Sequence, residues 1–176
     1  MAAILVAAAC QLRSQGRLWW CACGGLNPWS GDIWSPHNSQ HLLDPYSFTH
    51  ILHGVILCGL AAWACPRLSL AWQLCLATFV ESLWEVLENS AFVIDRYRLV
   101  TLALNYEGDT IVNSLGDILC SGVGFLLARR LGVRGSIGLF FVTEIVLILW
   151  IRDSLLLNVV MLICPADAIR AWQIGH

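Results

Sequence analysis

Glu81, Glu85 and Glu88 stand at positions i, i+4 and i+7 of one apolar stretch. That spacing sets three carboxylates on one face of a helix. A charged side chain at bilayer depth costs about 2.5–3.5 kcal/mol on insertion scales. A stripe of three must therefore meet partners inside the protein. Two histidines at i, i+3, His50 and His53, come earlier in the chain, and Asp109, Asn113 and Asp117 follow at i, i+4, i+8. Carboxylates without counter-charges in a low dielectric take up protons or bind a cation. Two imidazoles and one carboxylate make a three-ligand divalent-metal site with an open position. His50, His53 and Glu88 are the candidate ligands. Glu81, Glu85, Glu88, Asp109 and Asp117 are the candidate general acids and bases. Each group also has a plainer reading. The histidines can be interfacial residues bonded to neighbouring helices. The glutamates can hold helices together through hydrogen bonds, and Asp109 can be a helix cap.

The elements that position these groups belong in a membrane. The chain has 176 residues, 58% hydrophobic and 12% charged, with a mean hydropathy of +0.70. A soluble domain carries about 25% charged residues. The sequence therefore reads as one all-α domain, residues 1–176, a multi-pass transmembrane helix bundle with the lipid bilayer as its partner. A net charge of −2 argues against a nucleic-acid partner. The eight cysteines do not read as a disulfide scaffold. Cys58, Cys65, Cys75, Cys120 and Cys164 lie in apolar helical stretches, where cysteine serves as a small hydrophobe. Cys21 and Cys23 stand in loop-like sequence. They can bind a metal with His37 or His41, form disulfides, or remain plain thiols. The chain has no glycine-rich phosphate loop, no GxSxG, no HExxH and no lysine for a Schiff base.

About five spans are expected, with four or six as alternatives. The first covers residues 2–20 and is interrupted by Arg13, Gln15 and Arg17. Its apolar run lacks the preceding basic residues of a secretory signal, so it is expected to stay in the chain. Residues 21–46 form a polar, turn-rich loop. The second span starts near Tyr46, after the Asp44-Pro45 helix-start signal, and stops at Pro66. The third, Leu68 to Ile94, carries the glutamates. Residues 95–108 read as an interfacial connector. The fourth runs from Asp109 to Leu127, with Gly116, Gly122 and Gly124 suited to close helix packing. The fifth runs from Ser136 to Ile151. The apolar piece Leu155 to Ile163 is too short to span as a straight helix and reads as a re-entrant or interfacial helix, or as an extension of the fifth span.

Arg67, Arg129, Arg130 and Arg134 fall on one side of these spans, and Arg96, Arg98 and Arg152 on the other. The positive-inside rule makes the first side cytoplasmic and the 21–46 loop extracytoplasmic. At 1.5 Å per residue, Glu88 lies about 8–9 Å below Ile94 and Glu81 about 18–20 Å below it. His50 and His53 lie within about 10 Å of the same rim and Asp117 about 12 Å from it. Glu85 and Glu88 are thus expected beside the histidines, and Glu81 toward Asp117. The expected result is one outward-facing polar pocket that includes Asn113. Arg96, Arg98, Arg152 and the NSQH loop with His41 would form its rim. Arg152 and Asp153 read as a local ion pair at a helix end.

The motifs CACG, NSQH, THILHG, ESLWEVLENS, IDRYR, GDTIVNSLGD, LLARRLG, IRDSLLLN and PADAIRAW occur in that order over residues 19–173. In this set the chain resembles the bacterial integral-membrane family called domain of unknown function 2585. The resemblance implies a multi-pass protein of the bacterial inner membrane. It implies no activity, substrate or cofactor. A looser similarity links Asp109, Asn113 and Gly116, after a histidine-bearing and an acidic helix, to the VanZ-like membrane proteins. Three functions fit the residues. One is a membrane-embedded enzyme acting on a lipid or envelope substrate. The others are a proton- or ion-coupled transporter and a non-catalytic accessory protein.

Overall fold

A computed structural model describes residues 1–101 and 106–175. Residues 102–105 of the expected connector lie outside the described residues. The described chain is all-helical: α1 (Ala2–Ser14), α2 (Ser47–Ala64), α3 (Leu70–Glu88), α4 (Ala91–Val100), α5 (Ile111–Ile151), α6 (Leu155–Ile163) and α7 (Asp167–Ile174). Three of them, α2, α3 and α5, are long and apolar enough to cross a membrane.

The Asp44-Pro45 signal works as a helix start. Asp44 Oδ1 accepts the first-turn amides of Tyr46 at 2.7 Å and Ser47 at 3.3 Å, satisfying donors that a helix N-terminus otherwise leaves open. α3 starts at Ser69, whose hydroxyl accepts from the Trp72 amide. It ends earlier than expected, at Glu88 rather than Ile94. Asn89 and Ser90 interrupt it, and the Ser90 hydroxyl caps α4 instead. Short polar side chains of this kind compete with the helical backbone for hydrogen bonds. The early stop moves every glutamate about 9 Å closer to the rim than a helix ending at Ile94 would.

A straight helix of 41 residues would be about 61 Å long, twice a bilayer core. α5 instead breaks at Gly132, whose φ of 66° and ψ of −178° are not helical. The positive φ is one glycine adopts without a Cβ penalty. Its two limbs, residues 111–131 and 133–151, return to the same end of the molecule. Gly116 on the first limb meets the Leu42 carbonyl. Trp150 on the second stacks on Trp29 at 6.1 Å and meets Phe48 edge-on at 6.3 Å. The limbs overlap the expected fourth and fifth spans, Asp109–Leu127 and Ser136–Ile151.

The core lies between α2 and the first limb of α5. A Cβ on Gly54 would overlap the Ser121 carbonyl, and one on Gly124 would overlap the Ile51 carbonyl. The two backbones can approach this closely only because both positions are glycine. Gly122 faces open space and takes no part. Val55, Cys58, Ala61, Ala77, Phe125 and Ala128 fill the contact. Leu12 of α1 is fully buried against Ile111 and Val86. Large apolar side chains such as Trp63, Trp72 and Leu149 remain exposed on the outside, as a lipid solvent permits.

α6 is set across the polar end of the bundle. Glu144, on the second limb, accepts the Leu155 and Leu156 amides at 3.0 and 3.2 Å. At the other end of α6, Arg96 donates twice to the Leu162 carbonyl, at 3.0 and 2.8 Å. α7 was not anticipated. It closes the same end, where Arg152 donates to the Trp172 and Gly175 carbonyls and lies 5.9 Å from the Trp172 ring centre. The expected Arg152–Asp153 ion pair is therefore corrected: Arg152 caps α7, and Asp153 turns inward.

Candidate functional site

α2, α3, α4, α6 and the start of α5 surround a cavity of about 280 Å³. Its inner wall is polar. His50 Nδ1 lies 2.8 Å from Glu81 Oε1, and His53 Nδ1 lies 2.9 Å from the same oxygen. The two imidazoles meet edge to face at 4.9 Å, and His53 also meets the edge of Trp84. The i, i+3 spacing on α2 brings both rings to one carboxylate.

His50 also reaches beyond Glu81. Its Nδ1 is 3.2 Å from Glu85 Oε1, and its Nε2 is 3.9 Å from Asp117 Oδ2. The Glu85 contact is at ion-pair distance but lacks hydrogen-bond geometry, so both Glu85 oxygens are without hydrogen-bond partners. Glu88 Oε2 and Asp117 Oδ1 are likewise unpartnered. Glu88 Oε1 accepts from the Tyr97 hydroxyl at 2.8 Å. Asp109 accepts from Tyr106 and from Asn89 Nδ2, both at 2.8 Å, and its own amide donates to Asn89 Oδ1.

The outer wall is apolar. Ile56, Val80 and Val159 line the cavity and are about two-fifths exposed. The cavity thus joins an apolar, outward-facing flank to a buried polar floor.

Comparison with known proteins places the chain in a family. Residues 12–175 match the family described as "Protein of unknown function (DUF2585)". The chain belongs to this family. A UPF0314 protein of Paracoccus denitrificans is 44% identical over 170 residues, covering 97% of this chain and 88% of its own length. UPF0314 proteins of Rhizobium meliloti and Sinorhizobium fredii are 45% and 46% identical over 160 residues, each covering 91% of this chain and 81% of its own length. No solved structure matches.

For this DUF2585 member, several sequence expectations need correcting. Glu88 is not the carboxylate beside the histidines; Glu81 is, because α3 stops at Asn89 and the whole stripe shifts toward the rim. Arg96, Arg98 and Arg152, expected at the rim, form no ion pair with the cluster's carboxylates among the described residues. Arg96 and Arg152 bond backbone carbonyls, as above, and Arg98 bonds the Tyr106 carbonyl at 2.6 Å and lies 3.6 Å from Asp95. Asp109 is not the cap of α5; Thr110 is, accepting from the Asn113 amide. Asn113 donates to the His41 carbonyl at 2.8 Å and lies 3.4 Å from Asp44 Oδ2, so it ties the 21–46 loop to α5. The His41 ring lies away from the cavity floor, beside Cys23 and His37.

Other members of the network had weak signals in the sequence. Tyr46, Tyr97 and Tyr106 line the cavity. Burial, reinforced by Asp153, Glu88 and Asp109 respectively, pushes their hydroxyls up, so they remain protonated donors. Burial also raises the Asp44 and Asp109 carboxyls against the hydrogen bonds they accept. Asp153 is pushed up to about 7 by burial, opposed by hydrogen bonds from Ser154, Tyr46, Asn158 and Gln173. Gln173 was out of reach of the sequence reading because α7 was not foreseen.

Proposed function

We propose that this protein is a multi-pass enzyme of the bacterial inner membrane. It binds a divalent cation at His50, His53 and Glu81 and hydrolyses a headgroup linkage of an amphiphilic lipid or envelope substrate. The observation that carries this is the convergence of two imidazole nitrogens and a carboxylate on the floor of a cavity whose outer flank is apolar. An amphiphile can place its chain against Ile56, Val80 and Val159 and its headgroup over the donors.

Charge supports the cation. Glu81, Glu85, Glu88, Asp109 and Asp117 gather around His50 and His53, and among the described residues no arginine forms an ion pair with them. Such a surplus binds protons or metal. A metal about 2.0–2.2 Å from each donor needs donor separations of about 3.3 Å. The present 2.8 and 2.9 Å are shorter than that, and the three donor atoms lie within 4.8 Å of one another. A cation held by His50, His53 and Glu81 would polarise the headgroup linkage and a water molecule. Glu85, without a hydrogen-bond partner, would take that water's proton as its oxygen bonds to the linkage, and Asp117, on the cavity wall, would give a proton to the departing oxygen as the headgroup bond breaks.

Three helices long and apolar enough to cross a membrane, α2, α3 and α5, support the multi-pass reading, and α5 is divided at Gly132. At 13 residues, α1 is about 20 Å long and falls short of the hydrocarbon core.

The test compares envelope lipids from a deletion strain carrying the wild-type gene or Glu85→Gln. The expected result is an amphiphile that accumulates in the deletion, is consumed when the wild type is restored, and persists with Glu85→Gln. Identical lipid profiles in all strains would overturn the enzymatic reading.

A further inference from the structure

A second cluster of ligand-type side chains lies outside the cavity, in the 21–46 loop. Cys21 Sγ is 3.4 Å from His37 Nδ1, and Cys23 Sγ is 3.9 Å from His41 Nε2. All four donor atoms lie within 4.8 Å of one another. We propose that Cys21, Cys23, His37 and His41 form a closed four-ligand zinc site that staples this loop beside the polar cavity.

The distances suit the metal. Zinc at about 2.3 Å from sulfur and 2.0–2.1 Å from nitrogen sets tetrahedral sulfur–nitrogen edges of about 3.6 Å. The observed 3.4 and 3.9 Å bracket that value.

The surroundings are arranged for ligation. His41 Nδ1 lies 2.5 Å from the Asn27 carbonyl. A carbonyl only accepts, so Nδ1 carries the proton. In the neutral ring, Nε2 then turns its lone pair toward Cys23, and a carbonyl holding the second ring nitrogen is the usual support of a ligating histidine. The Cys23 amide donates to Cys21 Sγ and the Gly25 amide to Cys23 Sγ, each at 3.4 Å. Each sulfur thus accepts one backbone amide. The edge of Trp20 packs on His41.

The site has a mechanical role. Between the two histidines, Ser39 holds a left-handed backbone with φ of 59°, a conformation costly for a residue with a Cβ. Its amide bonds Asp44 Oδ2 at 3.0 Å, and Asn38 and Ser39 line the cavity. A metal bridging residues 21–23 to residues 37–41 fixes this turn. Four protein ligands leave no open position, so the role is structural.

This inference does not depend on the cavity binding a metal, and the test keeps the two apart. Full-length protein purified in detergent is assayed for zinc by elemental mass spectrometry. The Cys21→Ser/Cys23→Ser variant is expected to contain one zinc fewer per chain than wild type, whereas Glu81→Gln keeps this zinc. Cobalt added to metal-free wild type is expected to show tetrahedral visible bands and a near-ultraviolet thiolate-to-cobalt charge-transfer band. That spectrum decides alone if the double variant does not accumulate. Zinc unchanged by loss of both cysteines, a cobalt spectrum without the sulfur band, or a Cys21–Cys23 disulfide in the purified wild type would overturn the proposal.

Discussion

Each buried carboxylate at the polar end takes its character from what surrounds it. Glu81 is shared by two imidazoles, Glu85 has no hydrogen-bond partner, and Asp153 is held by four donors. Asp153 gives the clearest pH consequence. Its folded value of about 7 exceeds the unfolded value of about 3.9. The native state therefore binds the proton more tightly than the unfolded chain between those two values. The stabilisation is fully present below about pH 4, is lost as pH rises to about 7, and changes no further above that. Asp153→Asn removes this loss. In detergent, the thermal midpoint of the wild type should fall more between pH 5 and pH 8 than that of the variant. Parallel pH profiles would contradict the burial argument. The stripe of glutamates and the pair of histidines were readable from spacing alone. Their pairing was not, because it depends on where α3 ends. Asn89 and Ser90 hold that information, but apolar length alone passes over two polar residues.

Helices meet here through glycine and through side chains that close helix ends. The α2–α5 crossing depends on Gly54 lying against the Ser121 carbonyl and the Phe125 amide. Gly54→Leu cannot fit there without separating the helices. Overpacking of this kind costs about 1–3 kcal/mol, and His50 and His53 ride on the displaced helix. The variant should lower the thermal midpoint and weaken cation binding together. Gly122→Leu, facing open space, should change neither. Equal effects from the two would show that the crossing is not the critical contact. The glycines were visible in the sequence as a packing signal, but one apolar helix looks the same on either face. Only the fold tells Gly124 from Gly122. The placement of α6 was equally hidden, since it depends on Glu144 capping Leu155 and Leu156 from the second limb of α5.

At the scale of the whole molecule, composition was enough to read an apolar, all-helical chain, while orientation is harder. Arg13 and Arg17 bond backbone at the site end, and Arg170 lies there on α7. With Arg96, Arg98 and Arg152 they outnumber Arg67, Arg129, Arg130 and Arg134 at the opposite end. The positive-inside rule therefore places the site end on the cytoplasmic side, against the outward-facing site expected from the sequence. A C-terminal fluorescent-protein fusion should then be bright and a C-terminal alkaline phosphatase fusion inactive. The reverse pattern would turn the molecule over. The central claim is the cation at His50, His53 and Glu81. The most direct measurement is the divalent-metal content of purified protein carrying Cys21→Ser/Cys23→Ser, with and without Glu81→Gln. The account predicts one tightly held cation per chain in the first and none in the second. A metal-free protein in both, or equal metal in both, would contradict it.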